Sequence, residues 1–126
     1  MVDVDRHIAY WREGAQEDWA VAGDLLARGR IRHGLFFAHL ALEKALKAHA
    51  CRHTRDLAPR THNLVRLVEV AAVQLSSEHL ATLAEMNAFS QAGRYPETLS
   101  AAPTAAEADG YLTRATEVFE WLMSRL

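Results

Sequence analysis

Apolar residues at the start of the chain recur with the period of an α-helix, which predicts a first helix over residues 4–28. The apolar stripe of this helix consists of Ile8, Trp11, Ala15, Trp19, Ala22 and Leu26. Asp18 lies at the edge of the stripe, where we expect a half-buried carboxylate that pairs with an arginine or a backbone donor. Gly29 is expected to end the helix, and the short connection after it predicts that the first two helices are antiparallel neighbours.

The second helix, predicted over residues 31–53, is apolar around most of its circumference. A helix of this kind is surrounded by its neighbours instead of lying on a surface. Its few polar residues share one flank, and they are His39, Glu43, Lys44 and Lys47. We therefore look for functional side chains on this flank first.

Shorter helices are predicted after a polar loop that contains Pro59. Thr61 or Asn63 can cap a third helix, because their side chains accept hydrogen bonds from the first backbone amides of a helix. The pair Ser76-Ser77 interrupts the apolar pattern and can cap a fourth helix. This fourth helix is predicted to end at Gly93.

The last helix is predicted to begin at Thr104, where Thr104 and Glu107 have the spacing of a capping box. No segment alternates between apolar and polar residues over a useful length, as a half-buried strand would. The sequence therefore predicts an all-α fold, an up-and-down bundle of about five helices. Its length of 126 residues indicates a single domain over residues 1–126.

Composition and charge narrow the classes of function. The net charge is only −2, so no global basic field recruits nucleic acid and no recognition of a DNA sequence is expected. Cys51 is the single cysteine, which excludes an intrachain disulfide and fits a reducing cytosol. The N-terminus has no apolar run resembling a signal peptide, and no segment is long and apolar enough for a membrane span. We therefore expect a cytoplasmic protein.

Three groups of residues suggest chemistry. Arg32, His39 and Glu43 share one strip of the second helix, where His could move a proton and Arg could stabilise an anionic transition state. Equally, Arg32 can be a solvated end residue and His39 a histidine at the edge of the core, bonded to Glu43. His49 and His53 have the spacing of a metal-binding pair, but two ligands do not make a site, so no metal or other cofactor is predicted.

The third group is Arg94-Tyr95-Pro96. Proline disfavours helical geometry in the residue before it, so this segment is expected to form a fixed corner that presents an Arg and an aromatic ring. Such a corner could stack on a nucleotide and clamp it. It could equally hold a loop against the bundle.

Taken in order along the chain, several segments resemble those of the HEPN family, the "higher eukaryotes and prokaryotes nucleotide-binding" domain. The resemblance covers essentially the whole chain, and Glu43-Lys44-Ala45-Leu46-Lys47 and Arg94-Tyr95-Pro96 are its most specific parts. The other matching segments are Tyr10-Trp11, Glu17-Asp18-Trp19, Phe36 to Leu42 and Thr61-His62-Asn63-Leu64.

The resemblance implies a bundle of about five helices that is commonly dimeric. It also implies a partner, since such proteins are often encoded beside a minimal nucleotidyltransferase as a toxin–antitoxin-like pair. The dimer is further expected because so small a chain contains three tryptophans. In this interpretation the protein binds a nucleotide or RNA, and the residues lining the cleft are Lys44, Lys47, His62, Arg94 and Tyr95.

Many relatives are ribonucleases that use an Arg-x4–6-His motif, which makes a metal-independent endoribonuclease the first alternative. The catalytic pair would be Arg32 and His39, or else Arg55 and His62. Arg28 and His33 also satisfy the spacing, and three such pairs are about as many as chance provides. The ribonucleases carry the motif later in the bundle, whereas no histidine follows Arg94 here, so catalysis is not the favoured interpretation. A dimeric interaction bundle without a ligand is the second alternative.

Overall fold

The structure is a computed structural model that describes residues 2–90 and 101–126. The described residues form five α-helices and no strand, which confirms the predicted all-α class. The helices are α1 (Val4–Ala27), α2 (Ile31–Thr54), α3 (Leu64–Ala71), α4 (Ser77–Met86) and α5 (Ala105–Ser124). A short 3-10 segment, Asn87–Ser90, follows α4. None of the described helices combines enough length and hydrophobicity to cross a membrane.

Helices α1 and α2 form an antiparallel hairpin, as predicted. Gly29 has a φ of +75°, a conformation that glycine adopts at little cost, and it lies just past the end of α1. A Cβ atom at Gly34 would lie 2.5 Å from Cγ of Leu26, so the missing side chain lets the two helices approach closely near the turn. At the far end of the hairpin, Arg55 at the end of α2 bonds Asp5 of α1 at 3.3 Å.

Helix α2 is the centre of the bundle. It packs against α1, α3, α5 and the 3-10 segment, which confirms that this nearly all-apolar helix is surrounded by its neighbours. Its fully buried residues include Leu35, Leu42 and Leu46, and the core continues through Leu64 of α3 and Leu122 of α5. His39, Glu43 and Lys47 of α2 are therefore held in a closely packed environment.

The predicted caps are present at the starts of the later helices. Asn63 caps α3 by accepting hydrogen bonds from the amides of Val65 and Arg66. Ser76 caps α4 through the amide of His79. Thr104 and Glu107 form the full capping box of α5, with both reciprocal bonds made.

The predicted end of the fourth helix at Gly93 is wrong, because the α-helix ends at Met86 and the chain tightens into the 3-10 segment. Two tertiary hydrogen bonds hold Asn87 at this point. Its Oδ1 accepts from the amide of Leu64 at 2.8 Å, and its Nδ2 donates to Oδ1 of Asn63 at 3.1 Å. Helical periodicity in the sequence carries no information about such bonds to a distant helix.

Candidate functional site

The polar flank of α2 is buried and continues into its neighbours. Together these residues form a group that we call the polar cluster. Its members are Asp18 of α1, His39, Glu43, Lys44 and Lys47 of α2, and His62 just before α3. Side-chain exposure is only 2% at His39, 5% at Glu43 and 8% at Lys47.

Glu43 is the centre of the polar cluster. Its Oε1 accepts a hydrogen bond from Nδ1 of His62 at 2.9 Å. Its Oε2 lies 3.2 Å from the ammonium group of Lys47, one helical turn along α2. Nδ1 of His39 lies 4.0 Å from Oε1 of the same carboxylate. One buried carboxylate therefore meets a lysine and two histidines.

His39 holds the backbone that leads into α3. Its Nε2 lies 3.0 Å from the carbonyl oxygen of His62, and because a carbonyl can only accept, Nε2 carries the hydrogen and donates it. The loop at His62 is thus bonded to α2 twice, through its carbonyl by His39 and through its side chain by Glu43. In this arrangement His39 acts as a positioning residue for His62.

His62 is the exposed end of the polar cluster. Its side chain is 51% exposed, whereas Glu43 behind it is buried. Since Nδ1 donates to Glu43, Nε2 is the nitrogen left to contact a ligand, and no described residue bonds it. His62 lines a shallow depression of about 240 Å³ together with Asn63, Asn87 and Ser90. The residues that line the depression are polar ones, and it lies between the start of α3 and the 3-10 segment.

Lys44 and Asp18 form a second ion pair between α2 and α1. The ammonium group of Lys44 lies 2.7 Å from Oδ2 of Asp18. Gly14 makes room for the lysine, since a Cβ atom there would lie 3.1 Å from Cδ of Lys44. The prediction that Asp18 is partly buried was right, but its partner is a lysine, not an arginine.

Lys47 also lies against an aromatic ring. Its ammonium group is 5.2 Å from the centroid of the Trp11 ring, within the range of a cation–π interaction. The polar cluster thus contains two carboxylates and two ammonium groups, whose charges cancel while both imidazoles are neutral. Any net positive charge on it has to come from a histidine.

The residues of the predicted catalytic pairs lie at different points along α2 and in the loop after it. Arg32 lies in the first turn of α2, seven residues and therefore about 10 Å along the helix axis from His39. Arg55 bonds Asp5 of α1, whereas His62 bonds Glu43. Arg94 and Tyr95, predicted to contact a nucleotide, lie outside the described residues.

One histidine of the His49–His53 pair is bonded to other parts of the chain. His49 is buried, with Nε2 donating to the carbonyl of Leu122 at 2.9 Å and Nδ1 accepting from Arg52 at 3.2 Å. Both ring nitrogens are therefore occupied by protein groups. Within the described residues no three potential ligands (His, Cys, Asp or Glu) are grouped for a metal ion.

Cys51 has the character of a packing residue. Its side chain is buried, and burial raises the pKa of its thiol above the usual range. The thiolate that a nucleophile requires is therefore disfavoured.

Sequence reasoning placed His39 and Glu43 together but missed the residues that complete the depression. Asn87 and Ser90 are 25 and 28 positions away from His62, and nothing in their spacing marks them as neighbours of the start of α3. The available signal was Thr61-His62-Asn63-Leu64, which gave His62 but not its hydrogen bond to Glu43.

Comparison with known proteins gives the family. The family model described as "HEPN domain" matches residues 8–126. The chain belongs to the HEPN domain family. TT1696 from Thermus thermophilus has a similar structure, with a TM-score of 0.80 and 22% sequence identity over 94% of this chain and 98% of that one.

A second solved structure, that of ST0689, an archaeal HEPN homologue, matches with a TM-score of 0.71. Its sequence identity is 18%, over 99% of this chain and 98% of that one. At such identities the two structures establish the HEPN fold of this chain. None of the curated proteins compared with the chain matches it.

Proposed function

We propose that this HEPN domain is a nucleotide- or RNA-binding module, and that its ligand contacts the depression at His62. We further propose that it works with a minimal nucleotidyltransferase partner in a toxin–antitoxin-like pair. Membership of the family supports both statements. The observation that carries the binding proposal is the Glu43–His62 hydrogen bond of 2.9 Å, which holds a half-exposed imidazole in a polar depression.

The cost of the polar cluster supports a functional role. Removing charged groups from water is expensive, and buried ion pairs are often no more stabilising than apolar residues of similar size. Glu43 and Lys47 are nevertheless both more than 90% buried, on the helix that forms the centre of the core. Ionisable groups held in this way are more common at functional sites than elsewhere.

The two lysines have different parts in this proposal. Lys47 is buried and paired with Glu43, so it stabilises the carboxylate that orients His62. Lys44 is 22% exposed in its pair with Asp18 and can turn part of its charge toward an anion. Arg94 follows Ser90 of the depression by four positions in the chain, and we retain Arg94 and Tyr95 as ligand contacts expected from the sequence.

An endoribonuclease is the second candidate, and one observation favours it. A histidine whose Nδ1–H is bonded to a carboxylate has the orientation of a general base, with Nε2 available to a substrate hydroxyl. His62 has this arrangement with Glu43, whereas His39 is 2% exposed and uses Nε2 for a backbone carbonyl. If the protein cleaves RNA, we propose His62 as the proton acceptor in place of His39.

Calorimetric titration of the purified protein with AMP, ATP and a short single-stranded RNA tests the binding proposal. We expect binding of at least one of them, and about tenfold weaker binding after His62→Ala, because a charge-assisted hydrogen bond is lost. His53→Ala is the matched control, since His53 is exposed in the last turn of α2 and lies outside the polar cluster.

No binding by the unmodified protein to any of the three ligands would overturn the proposal, as would equal affinities of the two histidine variants. The same RNA should be run on a denaturing gel with EDTA present. Shortening of the RNA that disappears in His62→Ala selects the endoribonuclease. Co-purification with a nucleotidyltransferase encoded by a neighbouring gene tests the partner, and its failure removes that part of the proposal alone.

A further inference from the structure

We propose that protonated His62 binds a phosphate group of the ligand through Nε2–H, so that phosphate binding at this depression is gated by pH. The proposal rests on the binding function proposed above and specifies both the ligand chemistry and its regulation. The gate is one imidazole, the part-exposed end of the polar cluster.

The charge balance of the polar cluster supports this proposal. Lys47 is 3.2 Å from Glu43, and Lys44 is 2.7 Å from Asp18, so each permanent positive charge already has a carboxylate. Protonation of His62 adds a positive charge that no further carboxylate of the cluster offsets. That charge is also the most exposed of the cluster, because the His62 side chain is 51% exposed and Lys44 is 22% exposed.

The hydrogen bond to Glu43 confines the change on protonation to Nε2. Nδ1 donates to the carboxylate whether the imidazole is neutral or charged, so only Nε2 changes on protonation. A neutral His62 presents a lone pair at Nε2, and a protonated one presents an N–H donor. Phosphate oxygens accept hydrogen bonds, so they are repelled by the lone pair and attracted by the donor.

The described residues that line the depression beside His62 supply no positive charge. Asn63, Asn87 and Ser90 are uncharged, and the ionisable groups facing His62 from α2 are His39, Glu43 and Lys47. From α1, Asp18 is part of the cluster only through its pair with Lys44. Within the part of the chain that the structure describes, His62 is therefore the titratable residue that lines the depression.

The start of α3 does not offer its amides to an anion. A helix N-terminus ordinarily attracts phosphate through its first unpaired N–H groups. Here the amide of Leu64 donates to Asn87, and the amides of Val65 and Arg66 donate to Asn63. With these donors occupied, Nε2–H of His62 is the charged donor that the described residues of the depression can supply.

The size of the depression bears on how a ligand is seated. About 240 Å³ is less than the roughly 300–1,000 Å³ of sites that enclose a small molecule. The depression therefore accommodates a phosphate and part of its sugar, with the remainder of the ligand outside. Both a nucleotide monophosphate and one phosphodiester of a single-stranded RNA have this shared chemistry.

The test is label-free calorimetric titration at constant ionic strength between pH 5.5 and 8.0, the range in which imidazoles ordinarily titrate. The probes are a short single-stranded RNA, AMP and adenosine. The phosphodiester charge of RNA is fixed over this range, whereas AMP becomes less negative below pH about 6, which opposes the expected trend. Tighter binding of either ligand at low pH therefore has to come from protonation of the protein.

We expect RNA affinity to rise about tenfold from pH 8.0 to 5.5, and adenosine, which lacks the phosphate, to show no such rise. His62→Gln should bind weakly at every pH, and His62→Lys, which stays charged, should bind tightly at every pH. His53→Gln, at an exposed position, should keep the pH dependence of the unmodified protein. Circular dichroism at each pH verifies that every variant is folded.

The outcomes separate the two proposals. If neither RNA nor AMP binds at any pH, the binding function itself fails. If RNA or AMP binds and His62→Gln keeps the full pH dependence, the function stands and the pH gate is overturned. If AMP binds with the expected pH dependence and RNA does not bind, the site is assigned to a terminal phosphate. If RNA binds in this way and AMP does not, the site is assigned to a phosphodiester.

Discussion

At the scale of single residues, His49 is a buried imidazole whose surroundings favour the neutral form. It donates from Nε2 to the carbonyl of Leu122 and accepts at Nδ1 from Arg52. Burial lowers the pKa of this imidazole, the bond to Leu122 partly offsets that effect, and the positive charges of Arg52 and Arg125 lower the pKa further. A proton on Nδ1 would replace the acceptor with a donor facing a guanidinium group.

This histidine makes folding stability depend on pH. Because the folded pKa is lowered, the unfolded state binds the proton more readily, so the contribution of His49 is complete above about pH 6.5 and is lost as the pH falls. We expect His49→Gln, whose amide can still donate to Leu122, to reduce the loss of stability between pH 7 and 5. Urea unfolding at each pH measures this.

A single titrating group changes the slope of the unfolding free energy against pH by at most about 1.4 kcal/mol per pH unit. The comparison is therefore between these slopes and not between absolute free energies of unfolding. His53→Gln serves as the control, since this exposed residue lies in the same last turns of α2. Equal slopes in the unmodified protein and in His49→Gln would show that His49 does not carry the effect.

At the scale of helices, two glycines of the α1–α2 hairpin differ in the space around them. A Cβ atom at Gly34 would lie 2.5 Å from Cγ and 2.7 Å from Cδ2 of Leu26, so the helices would have to move apart. At Gly23 of α1 a Cβ atom would have no neighbouring atom within 4 Å. The same substitution is therefore expected to have opposite signs at the two positions.

We expect Gly34→Ala to destabilise the protein by about 1–3 kcal/mol through overpacking. The higher helix propensity of alanine offsets part of this loss. Gly23→Ala should stabilise it by about 0.5–1 kcal/mol, because only the propensity changes. Free energies of unfolding in urea at one pH measure both. A stabilised Gly34→Ala would mean that the close approach at Leu26 is not required.

The same scale shows why some boundaries could be predicted and others could not. Thr104 with Glu107 and Asn63 determine helix starts through bonds to amides two or three residues away, so the local sequence contains the information. Asn87 instead bonds Asn63 and the amide of Leu64, more than twenty residues away. The end of α4 at Met86 therefore depended on the tertiary structure.

The candidate site likewise contains one contact that the local sequence predicts and others that depend on the tertiary structure. The contact of His39 with Glu43 follows from a spacing of one helical turn, and it was predicted from the sequence. The burial of that pair, and the placement of His62 on Glu43, required the loop before α3 to fold back onto α2. This placement is what moved the proposed proton acceptor from His39 to His62.

For the whole molecule, the prediction still to be tested is the dimer. The three tryptophans that suggested it each have a partner within the chain. Trp19 stacks on Phe119 with ring centroids 4.4 Å apart. The centroid of the Trp121 ring lies 3.9 Å from Cζ of Arg125. Trp11 faces Lys47, as described above. The expectation of a dimer therefore rests on the family and on the remaining exposed apolar surface.

Tyr10 is the large apolar residue with the greatest exposure in the described part of the chain, at 65%. It lies on the N-terminal half of α1, beside Trp11, and lines a mostly apolar depression of about 500 Å³. Exposed apolar surface of this kind is often covered by a partner. We therefore expect light scattering at micromolar concentration to give twice the chain mass of 14.1 kDa, and Tyr10→Glu to shift the protein toward the monomer.

Leu57→Glu is the control for this prediction, since Leu57 is also exposed, at 52%, but lies in the loop after α2. A monomer in the unmodified protein would exclude the dimer and, with it, any site shared between two copies. A dimer that survives Tyr10→Glu would place the interface elsewhere than the start of α1. The depression at His62 is built from one chain, so the binding proposal does not depend on which of these results is obtained.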